Sequence, residues 1–96
     1  MTTRNQVPAL VAAQKPFNAN GTLFAKTVGE YYAVFSYGEH FPLAVRHNTP
    51  GATWLVNSDK YSVTTRRHQT YVRQGVAQSG APVLAAATAH LKCLLA

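Results

Sequence analysis

The stretch EYYAVFSY, residues 30–37, leaves few places in a fold where it can sit. Tyr31, Ala33, Phe35 and Tyr37 fall on one side of an extended chain and Tyr32 and Val34 on the other, so both sides are apolar or aromatic. A strand of that kind belongs in the middle of a sheet, because a half-solvated strand alternates apolar with polar residues. Its neighbours are legible on either side. Leu23, Ala25 and Thr27 alternate with Phe24, Lys26 and Val28, and a tight turn at Val28-Gly29-Glu30 then leads into the central strand. After it, FPLAVRH alternates Phe41, Leu43 and Val45 against Pro42, Ala44 and Arg46, with Pro42 confined to a strand start or an edge. Asn48-Thr49-Pro50-Gly51 supplies turn chemistry, and TWLVNS reads as a further strand. The expectation is an antiparallel sheet of three or four strands over about residues 22–58.

Helices frame this meander. Val7, Leu10, Val11 and Gln14 follow helical spacing, Pro8 fits a first turn, and Lys15-Pro16 ends the helix. Downstream, Thr64 or Thr65 is suited to cap a helix that continues as RRHQTYVRQGVAQ. Gly80-Ala81-Pro82 then turns the chain into a last helix, whose stripe of Leu84, Ala87, Leu91, Leu94 and Leu95 reads as core packing. Thr88 falls in that stripe, where its hydroxyl can bond back to the carbonyl one turn earlier. The fold class is therefore α+β, in a single domain covering residues 1–96, with one N-terminal helix and two C-terminal helices.

The charge balance narrows the function classes. Nine Lys and Arg face three acids, Glu30, Glu39 and Asp59, for a net charge of +6. With so few carboxylates, a paired-carboxylate mechanism or a hard-metal site would consume nearly all of them. The single cysteine, Cys93, excludes an intrachain disulfide and a cysteine zinc cage, and the dipole at a helix C-terminus disfavours its thiolate. Arg4 is not followed by an apolar h-region of signal-peptide length, and the longest apolar stretch, the Ala-rich tail, is well short of a membrane span, so a cytoplasmic protein with no membrane association is expected. Cofactors and metals are not expected. The excess of positive charge favours a polyanionic partner, either nucleic acid or an acidic protein surface.

Residues 61–73, YSVTTRRHQTYVR, hold the densest charge. On a helical wheel Arg66, Gln69 and Arg73 line one face with Thr70 beside them, while His68, Val72 and Val76 turn toward the sheet. Lys60 and Arg67 flank the cap. Arg46 and His47 end a strand, and join the same patch if the helix returns over that end of the sheet. Arginines in the first turn of a helix stand against its dipole, which suggests that they serve something outside the helix. The planar fork of arginine suits phosphate or a partner's carboxylates. The expected partner-binding set is Arg46, Lys60, Arg66, Arg67, Gln69 and Arg73, in a protein that is not an enzyme. An alternative is a metal-independent ribonuclease using His40, His47 and His68 with Lys60. Another is a structural or assembly protein that self-associates through its aromatic strands; Tyr31, Tyr32, Tyr37, Phe35 and Trp54 could also stack bases if one sheet face were open, but read as core first.

Ser36-Tyr37-Gly38, Pro42-Leu43-Ala44, Trp54-Leu55-Val56-Asn57 and, above all, Lys60-Tyr61-Ser62-Val63-Thr64-Thr65 with His68-Gln69 resemble a recurrent small domain of phage and plasmid proteins. The resemblance spans under half of the chain. It implies a mobile-element origin and a strand-to-helix core rather than a catalytic role. Arg66 stands where that pattern often has Ser, which makes the doubled arginine this chain's own addition. Proteins of this size and origin commonly inhibit or adapt by occupying a surface, and anti-CRISPR proteins are one such class by kind, not by sequence. The implied partner is a host protein or nucleoprotein complex, such as a CRISPR effector, met in the host cytoplasm.

Overall fold

A computed structural model of the chain describes residues 6–19, 23–36, 41–49, 51–59 and 63–95, with the side chains of 63–66 outside the description. Helix α1 (Val7–Ala12) precedes strands β1 (Phe17–Ala19), β2 (Leu23–Val28), β3 (Tyr31–Ser36), β4 (Pro42–His47) and β5 (Trp54–Asn57). Helix α2 (Val63–Ser79), strand β6 (Val83–Ala86) and helix α3 (Thr88–Leu95) complete the order. The strands lie side by side as β1-β2-β3-β4-β5-β6 in one six-stranded sheet. Pairs from β1 to β5 are antiparallel, and β5 and β6 are parallel, with α2 as their crossover.

The sheet therefore corrects the expectation of three or four antiparallel strands. Two strands escape the sequence pattern for different reasons. β1 is three residues long, too short to display a period, and follows a proline. β6 carries the sequence VLAA, in which Leu84 matches the leucine stripe of the following helix and alanine is a strong helix former. Pairing overrides that local preference. The Trp54 N–H donates to the Pro82 carbonyl at 2.8 Å and the Ser58 N–H to the Ala86 carbonyl at 2.8 Å, holding residues 82–86 extended beside β5. The last helix consequently starts at Thr88 rather than after Pro82. Thr88 opens that helix instead of lying inside its stripe. Its N–H donates to Asp59 Oδ2 at 2.9 Å and its hydroxyl accepts from Asn57 at 2.9 Å.

Both faces of the sheet are covered. Tyr32, Val34, Leu43, Ala44, Trp54 and Val56 pack with Val7, Val11, Val72 and Val76 of α1 and α2. On the reverse face Ala33, Phe35 and Val45 meet Leu91 of α3, with Phe24, Tyr31 and Leu55 at the margin. β3, apolar on both sides, sits centrally as its composition requires. Each fully buried Val, Leu or Phe side chain contributes about 1.5–3 kcal/mol of transfer free energy. A bulge in β4 breaks its expected alternation: Val34 pairs with Ala44 but Phe35 pairs with Pro42. The extra residue, Leu43, thereby joins Ala44 on the α1/α2 side, and Phe41 is partly exposed.

Two backbone features fix α1. Gly75 of α2 faces it so closely that a Cβ there would stand 2.6 Å from the Pro8 carbonyl oxygen and 2.6 Å from Val11 Cβ. The helix ends in a Schellman motif, with Lys15 N–H donating to the Leu10 carbonyl at 2.9 Å and Gln14 N–H to the Val11 carbonyl at 3.0 Å. Gln14 occupies the left-handed position at φ 54°, where glycine is the usual residue. The Tyr32 hydroxyl then donates to the Lys15 carbonyl at 2.9 Å, tying the chain leaving α1 to the sheet centre.

Candidate functional site

Helix α2 divides its side chains sharply. His68, Gln69, Val72 and Val76 are buried against the sheet, whereas Arg67, Thr70, Arg73, Gln74, Ala77 and Gln78 are exposed. Arg67 and Arg73 thus share the solvent side. The Arg66 side chain and the whole of Lys60 lie outside the described residues, and Thr64 and Thr65, expected to cap the helix, fall inside it. The helix itself begins at Val63.

Gln69 and Arg46 depart from the expected patch. Gln69 is 6% exposed, and its side-chain amide donates to the Asp59 carbonyl at 3.1 Å and, more weakly, to the Asn57 carbonyl at 3.4 Å. It is a pin between α2 and the end of β5, not part of the outer face. Arg46 is half-buried, with Nε donating to the Ala52 carbonyl at 2.8 Å and its guanidinium carbon 5.7 Å from the centre of the Trp54 ring. A longer bond of 3.3 Å runs from its Nη1 to Gln14 Oε1. Trp54 in turn donates its indole N–H to Ser79 Oγ at 3.0 Å. Arg46 therefore belongs with the C-terminal end of α2, whereas Arg67 lies near the other end, about 18 Å away along the axis at 1.5 Å per residue. The helix does return over the sheet, but in the direction that separates these two arginines.

The electrostatics of the outer face are one-signed. Glu30 sits in the β2–β3 turn with its carboxylate 3.3 Å from His47 Nε2. Asp59 turns its carboxylate to the start of α3. The exposed side of α2 itself carries no carboxylate, because the helix sequence VTTRRHQTYVRQGVAQS contains no acid.

Residues of the quoted pattern converge elsewhere, in a buried polar cluster. Ser36, Asn57, His68 and Gln69 are the buried polar residues among those described. Ser36 Oγ shares a 2.7 Å hydrogen bond with His68 Nδ1. The Asn57 amide donates to the Pro42 carbonyl at 2.7 Å and to Thr88 Oγ1, while its Oδ1 accepts from the Asp59 N–H at 2.8 Å. Asn57 therefore joins β4, β5 and α3 from one side chain. The signal for this cluster was a polar residue closing each of two apolar strands, Ser36 after YYAVF and Asn57 after WLV.

His47 and His68 do not meet. His47 pairs with Tyr31 at one end of β3, and His68 binds Ser36 at the other, about 17 Å away at some 3.3 Å per strand residue. His40 lies outside the described residues. No group of three His, Cys, Asp or Glu among the described residues is arranged to hold a metal. Of the aromatics, Tyr32, Phe35 and Trp54 are core; burial raises the Tyr32 hydroxyl well above the usual phenol range. No described helix is long and apolar enough to cross a membrane. No protein-family model, no curated protein and no solved structure matches the chain.

Proposed function

We propose that this protein is a non-enzymatic blocker or adaptor that seats the outer face of α2 on an anionic host surface, a nucleoprotein complex or nucleic acid. The observation that carries this reading is the exposed side of α2, where Arg67 and Arg73 stand among neutral residues with no described carboxylate to neutralise them. Arg66 and Lys60 extend the same basic segment in sequence. A mobile-element inhibitor acting inside the host cell fits this surface, and a CRISPR effector, with its guide RNA and displaced DNA strand, is a target of matching charge. Against the ribonuclease alternative stand the separation of His47 from His68 and the burial of the latter, since an acid and a base acting on one phosphate must both reach it.

The test is fluorescence anisotropy with labelled single- and double-stranded oligonucleotides and with a purified CRISPR effector, comparing the native chain with Arg67→Glu/Arg73→Glu. Binding that is lost in the variant while its circular dichroism stays native supports the assignment. Binding that is unchanged removes the face from consideration.

A further inference from the structure

β6 ends the sheet on one side; it is four residues long and follows Pro82, but no charge or proline lies within it. Natural edges are blunted by shortness, charge, proline or a bulge. The opposite edge, β1, is only three residues long. In β6, Val83 and Leu84 are 48% and 60% exposed. Its backbone is half used. The carbonyls of Pro82 and Ala86 accept from β5 and Ser58, so by strand alternation the N–H and C=O groups of Val83 and Ala85 point away from the sheet. No described strand lies beyond them.

The side chains of the same two residues help to line a groove of about 260 Å³ between β6 and α2, walled by Val56, Val76 and Ala77. Arg73 stands in that lining, exposed, with no ion pair or hydrogen bond to a described residue. An apolar channel, an unpaired row of main-chain groups and an unneutralised guanidinium thus lie side by side.

We propose that this edge accepts an extended segment of a partner protein as a seventh strand, with apolar side chains at alternate positions filling the groove and an adjacent carboxylate meeting Arg73. Val83 and Ala85 each offer the incoming backbone one donor and one acceptor, while the groove selects side chains on one face only. A second copy of the chain is a poor occupant. Its own edge, residues 80–96, contains no acid to offer Arg73, and a net charge of +6 on each copy opposes association. The site shares Arg73, and no other residue, with the anion-binding reading of α2.

The experiment titrates the full chain into a fluorescein-labelled decapeptide of alternating valine and threonine that ends in two aspartates, following anisotropy and the protein's amide exchange. Binding is expected, with slowed exchange at Val83 and Ala85. Ala85→Pro removes an outward N–H and leaves the β5 ladder intact, so it should weaken binding at least tenfold. Arg73→Gln should weaken binding about tenfold for the aspartate peptide and not for its asparagine counterpart. Arg67→Glu should leave peptide binding unchanged, which separates failure here from failure of the α2 reading. Where Ala85→Pro disturbs the circular dichroism, a peptide N-methylated at alternate residues replaces it: loss of binding supports the proposal, and equal binding overturns it. No binding at millimolar peptide, protection elsewhere on the protein, or self-association in sedimentation that Ala85→Pro abolishes would each overturn it, the last by assigning the edge to a second copy.

Discussion

Ser36 and His68, 32 residues apart in sequence, share a 2.7 Å hydrogen bond in the interior, joining the end of β3 to the first turns of α2. Truncating either partner removes this bond and leaves its buried polar atom, Ser36 Oγ or His68 Nδ1, without it. Ser36→Ala is therefore expected to lower the unfolding free energy by about 1–3 kcal/mol. Ser36→Ala with His68→Phe should cost less than the sum of the two single changes, because the Ser36–His68 bond is then lost once and not counted twice. Urea denaturation followed by the fluorescence of Trp54, the only tryptophan, measures both.

Gly75→Ala reverses the ordinary expectation for a helix interior. Alanine should gain roughly 1 kcal/mol of helix propensity, yet its Cβ would meet Pro8 and Val11 at distances no carbon tolerates. Overpacking of that kind costs about 1–3 kcal/mol, so the net effect is a lower midpoint in thermal unfolding, with α1 displaced. A variant as stable as the native chain would show that the two helices are not held in close contact.

Tyr32 sets an alkaline limit. Burial raises its folded pKa, so between the unfolded phenol value near 10 and the folded one the unfolded state has released a proton that the native state keeps. Stability is therefore undiminished below about pH 10 and falls as pH rises above it. Absorbance at 295 nm should show at least one of the five tyrosines silent until unfolding. Tyr32→Phe should flatten the alkaline loss while costing about 1 kcal/mol at neutral pH through the missing bond to the Lys15 carbonyl.

Asn57→Ala removes two donated hydrogen bonds and one accepted bond at once. The loss is expected to reach about 3 kcal/mol, at the upper end for an unsatisfied buried site. Hydrogen exchange should locate the damage in α3 and the start of β4, whereas Arg67→Ala should leave exchange throughout the core unchanged.

If the outer face of α2 meets phosphates directly, log affinity falls linearly with log salt, and Arg67→Ala and Arg73→Ala should each reduce the slope by about one. A shallow dependence, with Arg67→Lys nearly as harmful as Arg67→Ala, would instead indicate bidentate contacts to a partner's carboxylates. Oligonucleotide titrations at several salt concentrations decide between these outcomes.

The elements visible in the sequence were those whose side chains carry a period. β2, β3 and β5 alternate or are apolar throughout, and the inward set His68, Val72 and Val76 is set by the 3.6-residue repeat of α2. β6 was not visible, because its identity depends on β5 lying alongside and not on its own residues. The charged face was half legible. Arg67 and Arg73 occupy solvent as the wheel implies, but Gln69 sits on the boundary of the buried arc, where only the position of the Asn57 and Asp59 carbonyls decides its direction. Arg46 was misplaced because its patch depended on which end of α2 lies over β4, a tertiary fact that the Trp54–Ser79 bond reveals.

The parallel pairing of β5 with β6 has a consequence for how the chain is made. β2, β3 and β4 close through neighbouring hairpins and can form as soon as they are synthesised, whereas β6 joins only after α2 has been completed and laid across the sheet. At a synthesis rate of about 5–20 residues per second, the apolar edge Trp54-Leu55-Val56 waits uncovered for seconds while the helix and β6 emerge. Slow codons or a stall between residues 58 and 86 would prolong that exposure, making the nascent chain, rather than the finished protein, the form most exposed to aggregation.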